Sequence, residues 1–72
     1  MKNLIIIGAR GFGREVSDLA QYCIGYKSEF VIKGFLDDDN EILDKFIGYP
    51  PIIDSVENYA IEENDIFICE IG

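Results

Sequence analysis

Glycines at positions 8, 11 and 13, an arginine at position 10 and three aspartates at 37, 38 and 39 are the residues whose types and spacing could do chemistry. A glycine-rich turn that opens a helix gathers unpaired backbone N–H groups at the positive end of the helix dipole, a setting that suits phosphate. Glycine helps there by admitting positive φ and by letting a ligand come close to the backbone. The pattern present is G-x-x-G-x-G. The dinucleotide fingerprint G-x-G-x-x-G would need glycine at 8, 10 and 13, and position 10 holds Arg10. The missing glycine is the one that lets a pyrophosphate lie against the backbone, so a conventionally bound NAD or FAD is disfavoured. The same spacing also serves a tight strand-to-helix turn without a ligand, and the glycines alone leave both readings open.

The turn needs a strand before it and a helix after it. Leu4, Ile5, Ile6 and Ile7 are too few for a membrane span or a helix face, but they suit a strand buried on both sides of a parallel sheet. After the turn, Phe12, Val16, Leu19, Ala20 and Cys23 recur at helical spacing and predict a helix over residues 12–24, ended by Gly25. Arg14, Ser17, Asp18 and Gln21 fall on its other face. Residues 30–36 are β-branched and aromatic and predict a second strand, which completes a right-handed parallel βαβ unit. Asp37 and Asp38 then stand at the tip of that strand, beside the glycine turn, where a carboxylate can reach a ribose hydroxyl or a base edge. Asp39 and Asn40 read more simply as a solvated turn.

Beyond residue 40 the pattern is mixed, with Ile42, Leu43 and Phe46 expected to cover the core. Pro50 and Pro51 precede a short edge strand near Ile52, since proline cannot donate to a ladder and is tolerated where a strand begins. Asp54 or Ser55 is placed to cap a short helix over residues 55–61 that turns Val56, Tyr59 and Ala60 toward the sheet. Residues 66–71 read as the last strand. The expected spatial order is second strand, first, third, with the short segment near Ile52 outside the second.

Length and charge narrow the function. A chain of 72 residues is one small α/β domain or part of one, burying roughly 60% of its unfolded surface. Six basic against fourteen acidic residues give a net charge of −8, with no basic cluster to follow a nucleic acid or an anionic membrane. No signal peptide or membrane span is evident, so a cytoplasmic location is expected. Cys23 and Cys69 have no C-x-x-C spacing and read as small buried hydrophobes, and the absence of histidine removes the commonest general base and a common zinc ligand. A last strand apolar on both faces belongs inside a sheet, which leads to the expectation that the chain is the N-terminal piece of a longer protein.

Four segments in order carry a resemblance: the run from Lys2 through Gly8, Arg10, Gly11 and Gly13 to Val16, then Gly34-Phe35-Leu36-Asp37-Asp38-Asp39, then Ile47-Gly48-Tyr49-Pro50-Pro51-Ile52, and finally Ile71-Gly72. Together they resemble the N-terminal domain of sugar O- and N-acyltransferases of the sialic-acid O-acetyltransferase type. The resemblance spans nearly all of residues 1–72. It implies a Rossmann-like domain with a small parallel sheet that binds a nucleotide-linked sugar, followed in the parent by a left-handed β-helix that uses acetyl-CoA as co-substrate and forms a homotrimer. On the matching positions, Gly8, Ala9, Arg10, Gly11, Phe12 and Gly13 would face the phosphates, and Asp37 and Asp38 the nucleoside. The family's catalytic histidine lies in the β-helix part, so this chain by itself is expected to hold no catalytic residue, bind no cofactor and transfer no acetyl group. Glu70 departs from the small or apolar residue usual before Ile-Gly. An NAD- or CoA-binding regulatory domain and a domain without a ligand are the alternatives. The last strand is further expected to make the fragment dimerise through residues 66–71.

Overall fold

The computed structural model describes residues 1–44 and 46–69. Four strands, β1 (Lys2–Ile7), β2 (Phe30–Leu36), β3 (Ile52–Asp54) and β4 (Asp65–Cys69), form an all-parallel sheet in the order β3-β2-β1-β4, with one helix, α1 (Gly11–Ala20), between β1 and β2. This is the α/β class and the strand order expected from the sequence. The last strand was expected to reach residue 71; Glu70 and Ile71 lie outside the described residues.

Side chains alternate across a strand, so the apolar run of β1 must be covered on both sides. On one face, Ile6, Ala9 and Phe35 are fully buried, with Val16 of α1 and Ile42, Leu43, Tyr49 and Ile52 packed around them. Ile5 is equally buried on the opposite face. Full burial of each large side chain contributes roughly 1.5–3 kcal/mol, so these few residues dominate the stability of a sheet this small.

The helix differs from expectation in two ways. Its buried residues are Gly13, Ser17 and Ala20; of the predicted stripe Ala20 is buried and Val16 packs on the core, while Phe12 and Leu19 are exposed. Small residues let the helix lie close on the sheet, and Ser17, expected on the outer face, has no exposed surface. The helix also ends at Ala20 rather than residue 24. Tyr22 and Cys23 donate to the carbonyls of Leu19 and Ala20, three residues back, which tightens the chain into turns. Cys23 thereby leaves the helix and is exposed, as is Cys69 on the outer strand, so neither cysteine is the buried hydrophobe expected.

The predicted helix over residues 55–61 is absent; Val56, Glu57 and Asn58 make one turn, and Glu63 and Asn64 make a second just before β4. The capping signal is real, because Ser55 Oγ accepts the N–H of Asn58 at 3.3 Å. Tyr59, just after that turn, is held by side-chain hydrogen bonds to Lys33 and Asp65.

Parallel β1 and β2 slip by one residue: Leu4 pairs with Ile32 and Ile5 with Gly34, leaving Lys33 as the extra residue of a bulge. Gly34 is needed there. A Cβ at this position would lie 2.6 Å from the carbonyl oxygen of Pro51, which accepts the N–H of Phe35 and joins β3 to β2.

Candidate functional site

The glycine turn is built by three local events. The N–H of Gly8 donates to the Leu36 carbonyl at 2.8 Å and continues the ladder past β1. At Gly8 φ is +98°, which swings the chain off the sheet, a conformation that favours glycine. Arg10 is extended and its carbonyl accepts the first helical bond, from the N–H of Arg14 at 2.9 Å. No side chain caps α1, and helix geometry leaves the first N–H groups after Arg10 without a partner inside the helix. Gly11 and Gly13 do not have positive φ, contrary to the general expectation for this turn; they are helical, and Gly13 serves packing.

Two contacts clamp the turn. Asp37 Oδ2 accepts the N–H of Ala9 at 2.9 Å, so the tip of β2 holds the turn after β1 directly. Arg14 Nη1 donates to the Ala9 carbonyl at 3.0 Å, and its guanidinium lies 4.0 Å from the centre of the Phe46 ring. Both polar groups of one buried alanine are thereby satisfied by charged side chains, which make the stronger kind of hydrogen bond.

The aspartates have separate duties. Asp37 Oδ1 accepts the N–H of Asp39 at 2.9 Å, and Asp39 Oδ1 accepts that of Glu41 at 3.1 Å, two successive turns of the kind aspartate favours. Asp54, at the end of β3, accepts the N–H of Asp37 on its carbonyl and the N–H of Ser55 on its own carboxylate. Asp38 borders two hollows. One, of about 340 Å³, is bounded by Gly8, Arg10, Asp37, Asp38 and Val56; the other, of about 330 Å³, lies between Asp38, Asn40, Asp54, Ser55 and Asn58.

Of the eight residues singled out from the sequence, the fold therefore brings Gly8, Arg10, Asp37 and Asp38 around one crevice at the carboxyl ends of the strands. Ala9 is buried beneath it, and Gly11, Phe12 and Gly13 do not line it. Sequence reasoning missed Val56, which borders this crevice, and Asp54 and Ser55, which line the adjoining hollow beside Asp38. The signal was available: parallel strands bring their carboxyl ends to one side, so the residues after β3 had to arrive beside those after β2.

A second polar cluster, unforeseen in the sequence, sits on the sheet face opposite α1. Lys33 binds Tyr59, Glu62 and Asp65; Tyr59 donates to Asp65 Oδ2 at 2.6 Å, and the N–H of Glu62 donates to the same oxygen at 2.8 Å. Hydrogen bonds to Glu62 and Tyr59 hold the Lys33 ammonium well above the ordinary lysine value. Burial, with the hydrogen bond to Asp65, pushes the Tyr59 phenol up. Burial opposes ionisation of Asp65, but the hydrogen bonds from Tyr59 and the Glu62 N–H, with Lys33, outweigh it and hold the carboxyl below its usual value.

Among the described residues no cluster of three or more histidine, cysteine or acidic side chains could hold a metal ion, and no helix is long and apolar enough to cross a membrane. A family model described as the PglD N-terminal domain matches residues 3–72. Neither the curated proteins nor the solved structures gave a significant match.

Proposed function

The chain belongs to the PglD N-terminal domain family, and from that premise we propose that it holds a nucleotide-linked sugar in the crevice between the Gly8 turn and Asp38. The observation that carries this reading is the meeting of Gly8, Arg10 and Asp38 around one hollow at the ends of parallel strands, where α/β sheets bind ligands. Arg10, with the turn at Gly8, supplies the diphosphate side. Asp38 supplies an acceptor for ribose or base hydrogens on the other side. Asp37 acts one step back, since both its oxygens already hold backbone N–H groups.

In this reading the chain serves an acetyltransferase acting in the cytoplasm, as the domain that positions the sugar's amine or hydroxyl. Acetyl-CoA is the co-substrate of the parent, bound by another domain of a homotrimer, where a base removes the acceptor's proton and the acceptor attacks the thioester. The catalytic base lies elsewhere, because this chain has no histidine.

A thermal-shift panel tests the proposal. Uridine, cytidine or guanosine diphosphate sugars should stabilise the chain where NAD and CoA do not. Arg10→Ala should abolish that stabilisation, and amide shifts should cluster at Gly8, Ala9, Arg10 and Asp38. Stabilisation by NAD or CoA alone would overturn the reading in favour of a regulatory dinucleotide or CoA domain.

A further inference from the structure

Lys33 stands out by its place in the sheet. As the extra residue of the β2 bulge it reaches across to residues 26, 29 and 32 positions later in the chain. Asp65, at the start of β4, has no exposed side-chain surface, and Lys33 is only 25% exposed, so the pair is a largely buried one. The contact to Glu62 is exposed and adds little. Removing one member of the buried pair leaves the other charge uncompensated.

What this pair holds is the segment between β3 and β4, which makes two short turns, at residues 56–58 and 63–64, and has neither helix nor strand. Such a segment has few ladder bonds to fix it. Its Tyr59 ring stands edge-on to Phe67, with centroids 6.2 Å apart. Tyr59 and Phe67, with Ile7, Leu36, Val56 and Ile61, line an apolar hollow of about 250 Å³. Ile7, Leu36 and Val56 also border the crevice beside Gly8 and Arg10, so the hollow and the crevice share a wall.

We infer that Lys33 and Asp65 are positioning residues for the crevice: by holding the Tyr59 hydroxyl they fix residues 56–62 against the sheet and keep the adjoining wall apolar. The inference rests on the crevice being the ligand site. A tyrosine hydroxyl released from Asp65 would be free to enter the hollow and bring water with it, and Val56 would lose its fixed place at the crevice rim. The ligand would then meet a looser and wetter wall, although neither Lys33 nor Asp65 touches it.

Amide hydrogen exchange on the 72-residue chain tests this, together with titration using UDP-N-acetylglucosamine as the probe. In Lys33→Met, exchange of the amides of residues 57–62 should speed up roughly tenfold while those of β1 and β2 keep their rates, because only a local opening has become easier. Affinity for the probe should fall in parallel. Lys33→Arg, which keeps the charge, should restore both. Tyr59→Phe, which removes only the hydroxyl, should move both in the same direction and serves as the test if Lys33→Met does not fold. Unchanged exchange over residues 57–62, or acceleration spread evenly over the sheet, would overturn the inference. So would faster local exchange with unchanged affinity. A wild-type chain that binds neither this probe nor any other diphosphate sugar would sink the proposed ligand and with it the claim of an effect on binding, while the exchange rates still decide whether Lys33 fixes the wall.

Discussion

Replacing Asp37 separates two roles for a carboxylate at the tip of β2. If it exists only to meet a ligand, removing it from free protein should be neutral or slightly stabilising, because Asp38, Asp39 and Asp54 stand nearby in a chain of net charge −8. If it latches the turn, the cost follows from what it holds. Ala9 is fully buried, so its N–H cannot find water when Asp37 Oδ2 is lost. An orphaned buried donor costs about 1–3 kcal/mol. The N–H of Asp39 is exposed and can rehydrate at little cost. Asp37→Ala should therefore lose about 2 kcal/mol. Asp37→Asn can still offer an amide oxygen to Ala9 and should lose about 1 kcal/mol, the difference between a charged and a neutral acceptor. A chain of this length has a total stability of roughly 4–11 kcal/mol, so the alanine variant should be plainly weakened. Urea unfolding followed by far-ultraviolet circular dichroism reads the loss, as a midpoint shift of about 2 M for a slope of about 1 kcal/mol/M. Asp38→Ala is the control and should stay within about 0.5 kcal/mol of wild type. An Asp37→Ala protein as stable as that control, or an Asn variant as weak as the Ala variant, would refute the latch.

Other outcomes follow from single contacts. Gly34→Ala would push a Cβ against the Pro51 carbonyl and should cost about 1–3 kcal/mol, with exchange in β3 rising most; a neutral effect in the same urea assay would show that β3 can move aside freely. Asp65 holds its proton less tightly in the fold than in the unfolded chain, so its contribution is complete above the ordinary carboxylate range and is lost as pH falls through and below it. Asp65→Asn should accordingly flatten the acid limb of a melting-temperature profile, and an unaltered limb would assign acid sensitivity to other carboxylates. β4 pairs only with β1 among the described residues, and Ile66 and Ile68 are 44% and 40% exposed on it. Self-association through this edge should weaken in Ile68→Lys when followed by sedimentation across a wide concentration range, and an unchanged association state would place any contact elsewhere.

The parts legible in the sequence were those governed by short-range pattern. Consecutive β-branched residues marked β1 and β2 to within a residue or so, and the right-handed crossover rule then fixed their neighbours. Three features were hidden because a distant partner decides them. The face α1 turns to the sheet adds Gly13 and Ser17 to the predicted Val16 and Ala20 and leaves Phe12 and Leu19 outside, a choice made by packing on the sheet and not by helical spacing. Residues 55–61 carry a helix-start signal, yet Lys33 and Asp65 capture Tyr59 and no helix forms beyond the turn at residues 56–58. In the candidate site, glycine spacing and the acidic tip were visible, but the bond from Ala9 to Asp37 spans 28 residues and has no local signature.

That bond also bears on how an acidic chain could accept a phosphate. Counted as free charges, Asp37, Asp39 and Asp54 would repel a diphosphate. Each accepts backbone N–H groups but keeps its charge, so distance and screening set how strongly it repels. A carboxylate about 8 Å away in water opposes another unit charge by only about 0.5 kcal/mol, and physiological salt screens it further. A hydrogen bond to a charged group contributes about 1.5–3 kcal/mol, so one contact from Arg10 would outweigh the repulsion from any single carboxylate at that distance. On the proposed reading, specificity would come from separation. Arg10, just before α1, and Asp38, just after β2, both border the crevice, and on that reading a ligand would engage both only if its anionic and hydroxyl-bearing parts were spaced to match.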